Sequence, residues 1–526
     1  MLAHLKALRT THSTPLSFPD ALTYHQDKST FISSHPAYPS RSLHTLRRDE
    51  FSRLDTSSAV YLDYTGSALP PSSLLTTHLH HLRSSVLGNP HSTSPAALLS
   101  SASADEARAA VLEFFHADPT VYDVVWTANA SAGVKIVGET YNWSGRRVVL
   151  PRDAHNSINS LARRAEAHGG SFEFVDYDGD SIPRGAYIET LTKGEDKGMV
   201  FFTGQSNITG AKLDLTLLQQ AKSLGWDVGL DAAALAPSTR ISLRDHRVDF
   251  MVVSLYKICG YPTGLGALIL RKDAYAKLTR KETFFGGNIV GITMDRMEFS
   301  LVDGPERFED GTCNFASLSA VKPGLEFAAK WMGPVVQRNQ LLMQWLVAQL
   351  ESIYYPPSST REHEREGEKR LSSSTASTAA PPVKLVRLPN PSSGEKGMTL
   401  PLVLSSRENH ALNYRFVIWA AAQENISLRG GPCMCNPGAS SSVMQRGIIT
   451  DLAASTLLAE ADVGIVRVSL GIATNFKDVW RLVRFVRRLT DDVWVDGMWK
   501  VYARADPGAR LSNDVDELHA LATRKR

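Results

Sequence analysis

Between residues 121 and 270, short unbroken apolar runs alternate with stretches whose apolar positions recur at helical spacing. The runs are Val124-Val-Trp, Arg147-Val-Val-Leu, Phe172-Glu-Phe-Val, Gly198-Met-Val-Phe-Phe, Trp226-Asp-Val-Gly-Leu and Phe250-Met-Val-Val, and residues 267–270 close the series. A strand that is apolar on successive residues is buried on both faces, and helical connections between such strands imply a mostly parallel α/β sheet. Upstream, Val60-Tyr-Leu-Asp-Tyr reads as a short strand that turns at Thr65-Gly66. Helices are expected at 72–87, stopped by Gly88-Asn-Pro-His-Ser, and at 103–115, with Asp105 and Glu106 in the first turn. Residues 1–50 are polar and read as an irregular arm.

Downstream of Trp331 a long helix leads to Tyr355. Residues 356–382 are rich in Ser, Thr, Glu and Arg and poor in large apolar residues, the composition of a disordered insertion. A second, smaller α/β unit follows, with strands at 398–404 and 463–470 and helices at 409–423 and 475–490. The last helix has Thr474 or Asn475 as N-cap and carries Val479, Leu482, Val483, Phe485 and Val486 on one face. The expected organisation is an arm (1–50), a large domain (51–330), a small C-terminal domain (331–495) holding the insertion, and a tail (496–526).

Composition narrows the partners. A formal net charge of +3 over 526 residues gives no electrostatic case for nucleic acid or an anionic membrane. No apolar run reaches the length of a membrane span and no secretory signal is evident. Four cysteines do not make a disulfide framework in so long a chain, which suits a reducing compartment, and we expect a cytoplasmic protein. Residues 1–19 contain no acid, as in a mitochondrial presequence, but present no clear amphipathic face.

Because ligands of parallel α/β sheets lie beyond the carboxyl ends of the strands, the residues that follow each run carry the candidate chemistry. Lys257 follows the run at 250–255 and enters a loop punctuated by Gly260, Pro262, Gly264 and Gly266. Burial there would lower its pKa and make it an amine nucleophile able to form a Schiff base; a surface lysine in a hairpin is the other reading. Asp231 ends its strand and precedes three alanines, small enough to let a flat ligand lie close. Its carboxylate needs a cationic or hydrogen-donating partner. Thr127-Ala-Asn-Ala-Ser opens a helix with small residues, where free backbone amides bind phosphate. His155 could stack on an aromatic ring or cap a helix, and Asn207 could donate to a phenolic oxygen or form an Asx turn. Arg467 lies inside an apolar strand, so either an internal acid or a substrate carboxylate must be near.

Together these residues resemble the pyridoxal-phosphate enzymes of aminotransferase-like fold (fold type I). They are most similar to the class V group that includes cysteine desulfurases and, within it, to the amino-terminal domain of eukaryotic molybdenum cofactor sulfurases. The resemblance is carried by Tyr61-Leu-Asp-Tyr-Thr-Gly, Gly88-Asn-Pro-His-Ser, Thr127-Ala-Asn-Ala-Ser, Asp231-Ala-Ala and Ser254-Leu-Tyr-Lys-Ile-Cys-Gly-Tyr-Pro-Thr-Gly-Leu-Gly. Phe285-Gly-Gly, Arg307-Phe-Glu-Asp-Gly-Thr312, Cys433-Met-Cys-Asn-Pro-Gly-Ala and Val466-Arg-Val-Ser-Leu-Gly extend it to the small unit. It implies a seven-stranded, mostly parallel sheet in the large domain. It also implies that Lys257 holds pyridoxal 5'-phosphate and moves protons, that Asp231 keeps the pyridine nitrogen protonated, that His155 stacks on the ring and that Asn207 bonds its phenolic oxygen. Ala130, Ser131, Ser254 and Tyr256 would hold the phosphate, with Thr312 supplied by the second subunit of a homodimer, and Arg467 would clamp the substrate carboxylate.

The cysteine loop separates a desulfurase from an ordinary transaminase. By register with the family motif, Cys435 would take sulfur from L-cysteine as a persulfide while alanine leaves, a task for a partly exposed thiol on a flexible loop. Cys259 and Cys313 read as packing residues, and the Cys433/Cys435 pair lacks the second pair of a structural zinc site, so no metal is expected. Ser440-Ser-Ser stands where the family tends to place another cysteine, and the sulfurases carry a further C-terminal domain that binds molybdenum cofactor, for which this sequence is too short. The sulfur acceptor is therefore open between molybdenum cofactor and a separate protein. Two other functions remain: a carbon–sulfur lyase or another class V enzyme in which Cys435 is dispensable, and a catalytically inactive binding protein on the same scaffold.

Overall fold

The fold was analysed in a computed structural model, which describes residues 18–38, 40–177, 181–278, 286, 289–296, 298–356, 383–388, 394–408, 410–447, 464–506 and 512–513. The insertion expected at 356–382, apart from Pro356, and most of Phe285-Gly-Gly lie outside the described residues.

The seven apolar runs form one sheet: β1 (Tyr122–Thr127), β2 (Arg147–Pro151), β3 (Ser171–Val175), β4 (Lys197–Thr203), β5 (Asp227–Asp231), β6 (Phe250–Ser254) and β7 (Gly266–Arg271). Their order is β1-β7-β6-β5-β4-β2-β3. Neighbours from β6 to β3 are parallel; β7 is antiparallel to both β1 and β6. Successive side chains enter different cores. Val200 and Phe202 of β4 pack with the helices Pro95–Phe114 and Val321–Glu351, whereas Met199 and Phe201 pack with Ala130–Thr140 and Asn156–Ala167. Burial on both faces is why the strands read as continuous apolar runs rather than alternating ones.

A second sheet, ordered β8 (Val386–Arg387), β9 (Thr399–Leu404), β11 (Ile465–Ser469) and β10 (Arg429–Gly431), is antiparallel throughout. It packs with the helices Tyr414–Gln423 and Phe476–Arg488 and with the distal half of Val321–Glu351. Asn475 is the N-cap of Phe476–Arg488 and forms a reciprocal capping box with Asp478.

Three expectations are corrected. Residues 1–50 are not irregular where described: Phe18–Ser34 and Ser40–Glu50 are helices. Phe31 is fully buried, stacked on Phe476 at 4.8 Å, and with Tyr24, which meets Trp480 edge-on at 5.3 Å, it anchors a polar helix to the small-unit core. The helix expected from residue 103 begins at Pro95, capped by Ser94, which places Asp105 and Glu106 mid-helix rather than in the first turn. Val321–Glu351 runs without interruption through residue 331 and through Pro334, joining the two units. The tail is helical at its start, because Asp492–Ala503 crosses residue 496 and buries Tyr502 against Tyr414–Gln423. Among the described residues no helix is long and apolar enough to cross a membrane.

Candidate active site

The carboxyl ends of β2, β4, β5 and β6 converge on a cavity of about 210 Å³. β2 leads to Asp153 and His155. β4 ends in Thr203 and leads to Gln205 and Asn207. β5 ends in Asp231, and β6 ends in Ser254, just before Tyr256 and Lys257. The start of Ala130–Thr140 closes the opposite wall. Ala130, Ser131, His155, Asn207, Asp231, Ser254, Tyr256 and Lys257 all line this one space.

Lys257 sits on the short helix Leu255–Cys259 rather than in an open loop. Burial pushes its amine below the ordinary lysine range; Asp231 opposes that shift, while Arg467 and Arg429 add to it. Its side chain lines the cavity instead of an open surface hairpin. A second, mostly apolar cavity of about 70 Å³, bordered by Tyr64, Trp331 and Leu470, also touches Lys257.

Of the two roles left open for His155, the helix cap is the one observed. It lines the cavity and caps Asn156–Ala167, its Nδ1 accepting from the Ser157 amide at 3.2 Å, which leaves the proton on Nε2. Burial holds its pKa below the ordinary histidine value. The short-range turn in this region belongs to Ser206, whose Oγ accepts from the Ile208 and Thr209 amides, and Asn207 is free to reach across the site. Asn207 Nδ2 donates to Met434 O at 3.1 Å, and Asn207 Oδ1 accepts from Asn436 Nδ2 at 2.9 Å.

The residues present fit pyridoxal phosphate. Asp231 Oδ1 accepts from the Ala233 amide at 3.0 Å, which leaves Oδ2 to accept from a protonated ring nitrogen. At the helix start Asn129 Oδ1 takes the Ala132 amide and Ser254 Oγ takes the Ala130 amide at 2.9 Å, leaving the Ser131 amide for an anion. Asp153 Oδ1, Thr203 Oγ1 and Gln205 Oε1 are buried in the lining with no aligned hydrogen bond among the described residues, so the cavity has polar capacity to spare. Asp153 and Thr203 are near enough for the hydroxyl to favour the ionised acid, yet burial dominates and raises Asp153 to about 7.

Three predicted residues lie outside the cavity lining. Arg467 is buried; its Nη2 donates to Asp63 Oδ1 at 2.9 Å and its Nη1 to Asn207 O at 2.9 Å, while Nε is buried without an acceptor among the described residues. Of the two partners left open by the sequence, the internal acid is the one observed. Asp63 also binds Arg429, through Nη2 at 2.7 Å. Thr312 lies outside the lining, where its hydroxyl accepts from Asn89 Nδ2 at 3.3 Å.

Cys435 is the third. It is exposed, and it and Met434 adopt left-handed backbone, φ +63° and +41°. Four bonds fix the loop beside the cavity: the Asn156 amide to Cys435 O at 2.8 Å, Asn207 to Met434 O, and Asn436 Nδ2 to Asp153 O at 2.6 Å and to Asn207 Oδ1. Cys435 is close enough to enter the electrostatics of Lys257. Cys259 is buried, its thiol pushed up to about 12, and burial also raises Cys313. No cluster of three metal-ligating side chains occurs among the described residues.

Asp63, Asp153, Gln205, Arg429 and Asn436 are site residues that sequence reading did not assign. Asp153 and Asn436 had a signal, standing two residues before His155 and directly after Cys435.

Comparison with known proteins agrees with this geometry. The family model described as Aminotransferase class-V matches residues 60–372. The molybdenum cofactor sulfurase of Solanum lycopersicum is 30% identical over 85% of this chain and 57% of its own length. That of Homo sapiens is 28% identical over 90% of this chain and 54% of its own. The chain thus spans little more than half of these relatives. Among solved structures, a cysteine desulfurase from Thermococcus onnurineus NA1 aligns with TM-score 0.67 at 20% identity, covering 85% of this chain and 98% of that one. The Escherichia coli cysteine desulfurase CsdA aligns with TM-score 0.65 at 19% identity, with the same coverages.

Proposed function

Because the chain belongs to the class V aminotransferase family, we propose that it is a pyridoxal-phosphate-dependent cysteine desulfurase that converts L-cysteine to L-alanine and places the sulfur on Cys435. The observation that carries this reading is the tie between the cysteine loop and the lysine cavity: Asn436 bonds Asn207 and the Asp153 carbonyl, next to an exposed thiol. A transaminase has no use for such an arrangement.

When bound, pyridoxal phosphate supplies an electron sink that weakens the substrate's carbon–sulfur bond. The chain's own groups do the rest. Lys257, an amine already shifted toward its neutral form, anchors the cofactor and carries protons to and from the substrate carbon. Asp231 keeps the ring nitrogen protonated, and His155, neutral at physiological pH, offers a flat face for stacking. Asn207 retains a second amide hydrogen for the phenolic oxygen. The Ser131 amide, Ser254 and Tyr256 receive the phosphate, with Ala130 setting the helix start. Arg467, held by Asp63, supports the substrate carboxylate. The Cys435 thiolate attacks the substrate sulfur; the carbon–sulfur bond breaks, a sulfur–sulfur bond forms, and the carbon takes a proton as alanine is released.

A homodimer completes the site, bringing Thr312 of one chain toward the phosphate of the other. Support comes from an exposed apolar stripe, Leu75, Leu79, Leu82 and Val86, on and just after the helix Ser72–Ser84. The sulfur passes on to molybdenum cofactor or an acceptor protein. Four free thiols suit the cytoplasm. Incubation with L-cysteine is expected to give alanine with wild type and none with Lys257→Ala, which also loses the visible cofactor band. Pyruvate in place of alanine would favour a carbon–sulfur lyase, and a wild type without the band would leave a binding protein.

A further inference from the structure

A cavity of about 310 Å³ lies where the N-terminal helices meet the start of Phe476–Arg488, away from the chemistry above. Its lining includes Lys28, Arg47, Arg48, Arg338 and Lys477, and Asp55 is its one carboxylate. Asp478 and Asp49, which bind Arg47 and Arg48 from outside the lining, still leave two positive charges uncompensated.

Arg338 stands out among the buried arginines. Arg47, Arg147 and Arg467 each pair with a carboxylate: Asp478, Glu173 and Asp63. Arg338 is 2% exposed and makes no ion pair among the described residues. Its Nε donates to Asn339 Oδ1 at 3.0 Å and its Nη2 to the carbonyls of Gly471 and Ile472 at 2.7 and 3.0 Å, leaving Nη1 without an acceptor among the described residues. Burial pulls its pKa down to about 10, so it keeps its charge at neutral pH. Asp478, the nearest acid, is committed to Arg47 by two hydrogen bonds. A buried guanidinium without an anion costs several kcal/mol. Lys28 and Lys477, half-buried on the same cavity, also lack an ion pair among the described residues. The N-terminus of the 13-residue helix opens there too, adding partial positive charge.

We infer that this cavity is a binding site for a phosphate group, either free phosphate or the phosphate of an organic ester. A dianion matches the two uncompensated charges, and the free guanidinium nitrogen, two ammonium groups and a helix start are the donors that phosphate oxygens take.

The test is calorimetric titration of the cofactor-loaded, desalted protein with inorganic phosphate and, separately, with adenosine 5'-monophosphate. We expect one saturable site per chain beyond the cofactor, weakened at least about tenfold by combining Lys28→Ala with Lys477→Ala. The cofactor band and melting temperature control for folding, and the single variant Lys477→Glu is expected to show the same loss. Tighter binding of the nucleotide assigns an ester; equal or tighter binding of phosphate assigns the free ion. Absence of saturable binding by either probe, or unchanged affinity in the double variant, overturns the site. Neither result bears on the desulfurase reading.

Discussion

At the scale of single residues, a carboxyl that is enclosed and finds no aligned donor holds its proton, and Asp153 does so up to about pH 7 against an ordinary 3.8. Below 3.8 it is protonated whether the chain is folded or not, and it costs nothing. Between 3.8 and about 7 the unfolded chain ionises while the folded one stays neutral, so apo-protein stability falls through that window and levels off above it. Asp153→Asn is therefore expected to unfold at higher urea than wild type near pH 8, by on the order of 2–4 kcal/mol, and to match it near pH 4. Equal stabilities at both pH values would mean that Asp153 is paired. His155 and Asn207 show the same economy from another side, each serving the backbone and the cavity at once.

At the scale of elements, the cysteine loop is held as tightly as a strand end. A Cβ on Gly438 would stand 2.0 Å from Arg152 O, so Gly438→Ala must push the loop off the His155-bearing turn. With the thiol displaced by about an ångström, desulfuration is expected to slow on the order of 100-fold while the cofactor band is unchanged; a wild-type rate would show that the loop needs no fixed seat. The strand ends bearing Asp231, Ser254 and Lys257 were legible in the sequence because burial on both faces writes itself as unbroken apolar runs. The cavity's positions follow directly from those ends. The loop's anchoring was not legible: Asn436 reaches Asp153 and Asn207 across more than two hundred residues, and no periodicity records such a contact. The N-terminal helices escaped for a related reason. Phe31 and Tyr24 dock an otherwise polar helix, and two aromatics make no stripe. Ser94 hid as an ordinary serine among several, so the following helix read as starting two turns late.

At the scale of the whole molecule, helix Val321–Glu351 joins a parallel-sheet unit to an antiparallel one, and the site residues come from both: most of the cavity from the first, and Asn436, Arg467 and Cys435 from the second. The exposed leucine stripe extends that logic to two chains. Leu79, 56% exposed, lies at its centre, and Leu79→Asp is expected to convert a dimer to monomer by light scattering; a wild-type monomer, or a dimer that ignores the change, would refute that interface. Desulfurase activity requires that Cys435 receive sulfur from a substrate activated over Lys257. Mass spectrometry of the cofactor-loaded protein after one exposure to L-cysteine tests it most directly. The peptide carrying Cys435 should gain the mass of one sulfur atom, and Cys435→Ala should keep its cofactor band while alanine formation falls to background. Alanine formed at the wild-type rate by Cys435→Ala, or added sulfur found on Cys433 instead, would contradict it.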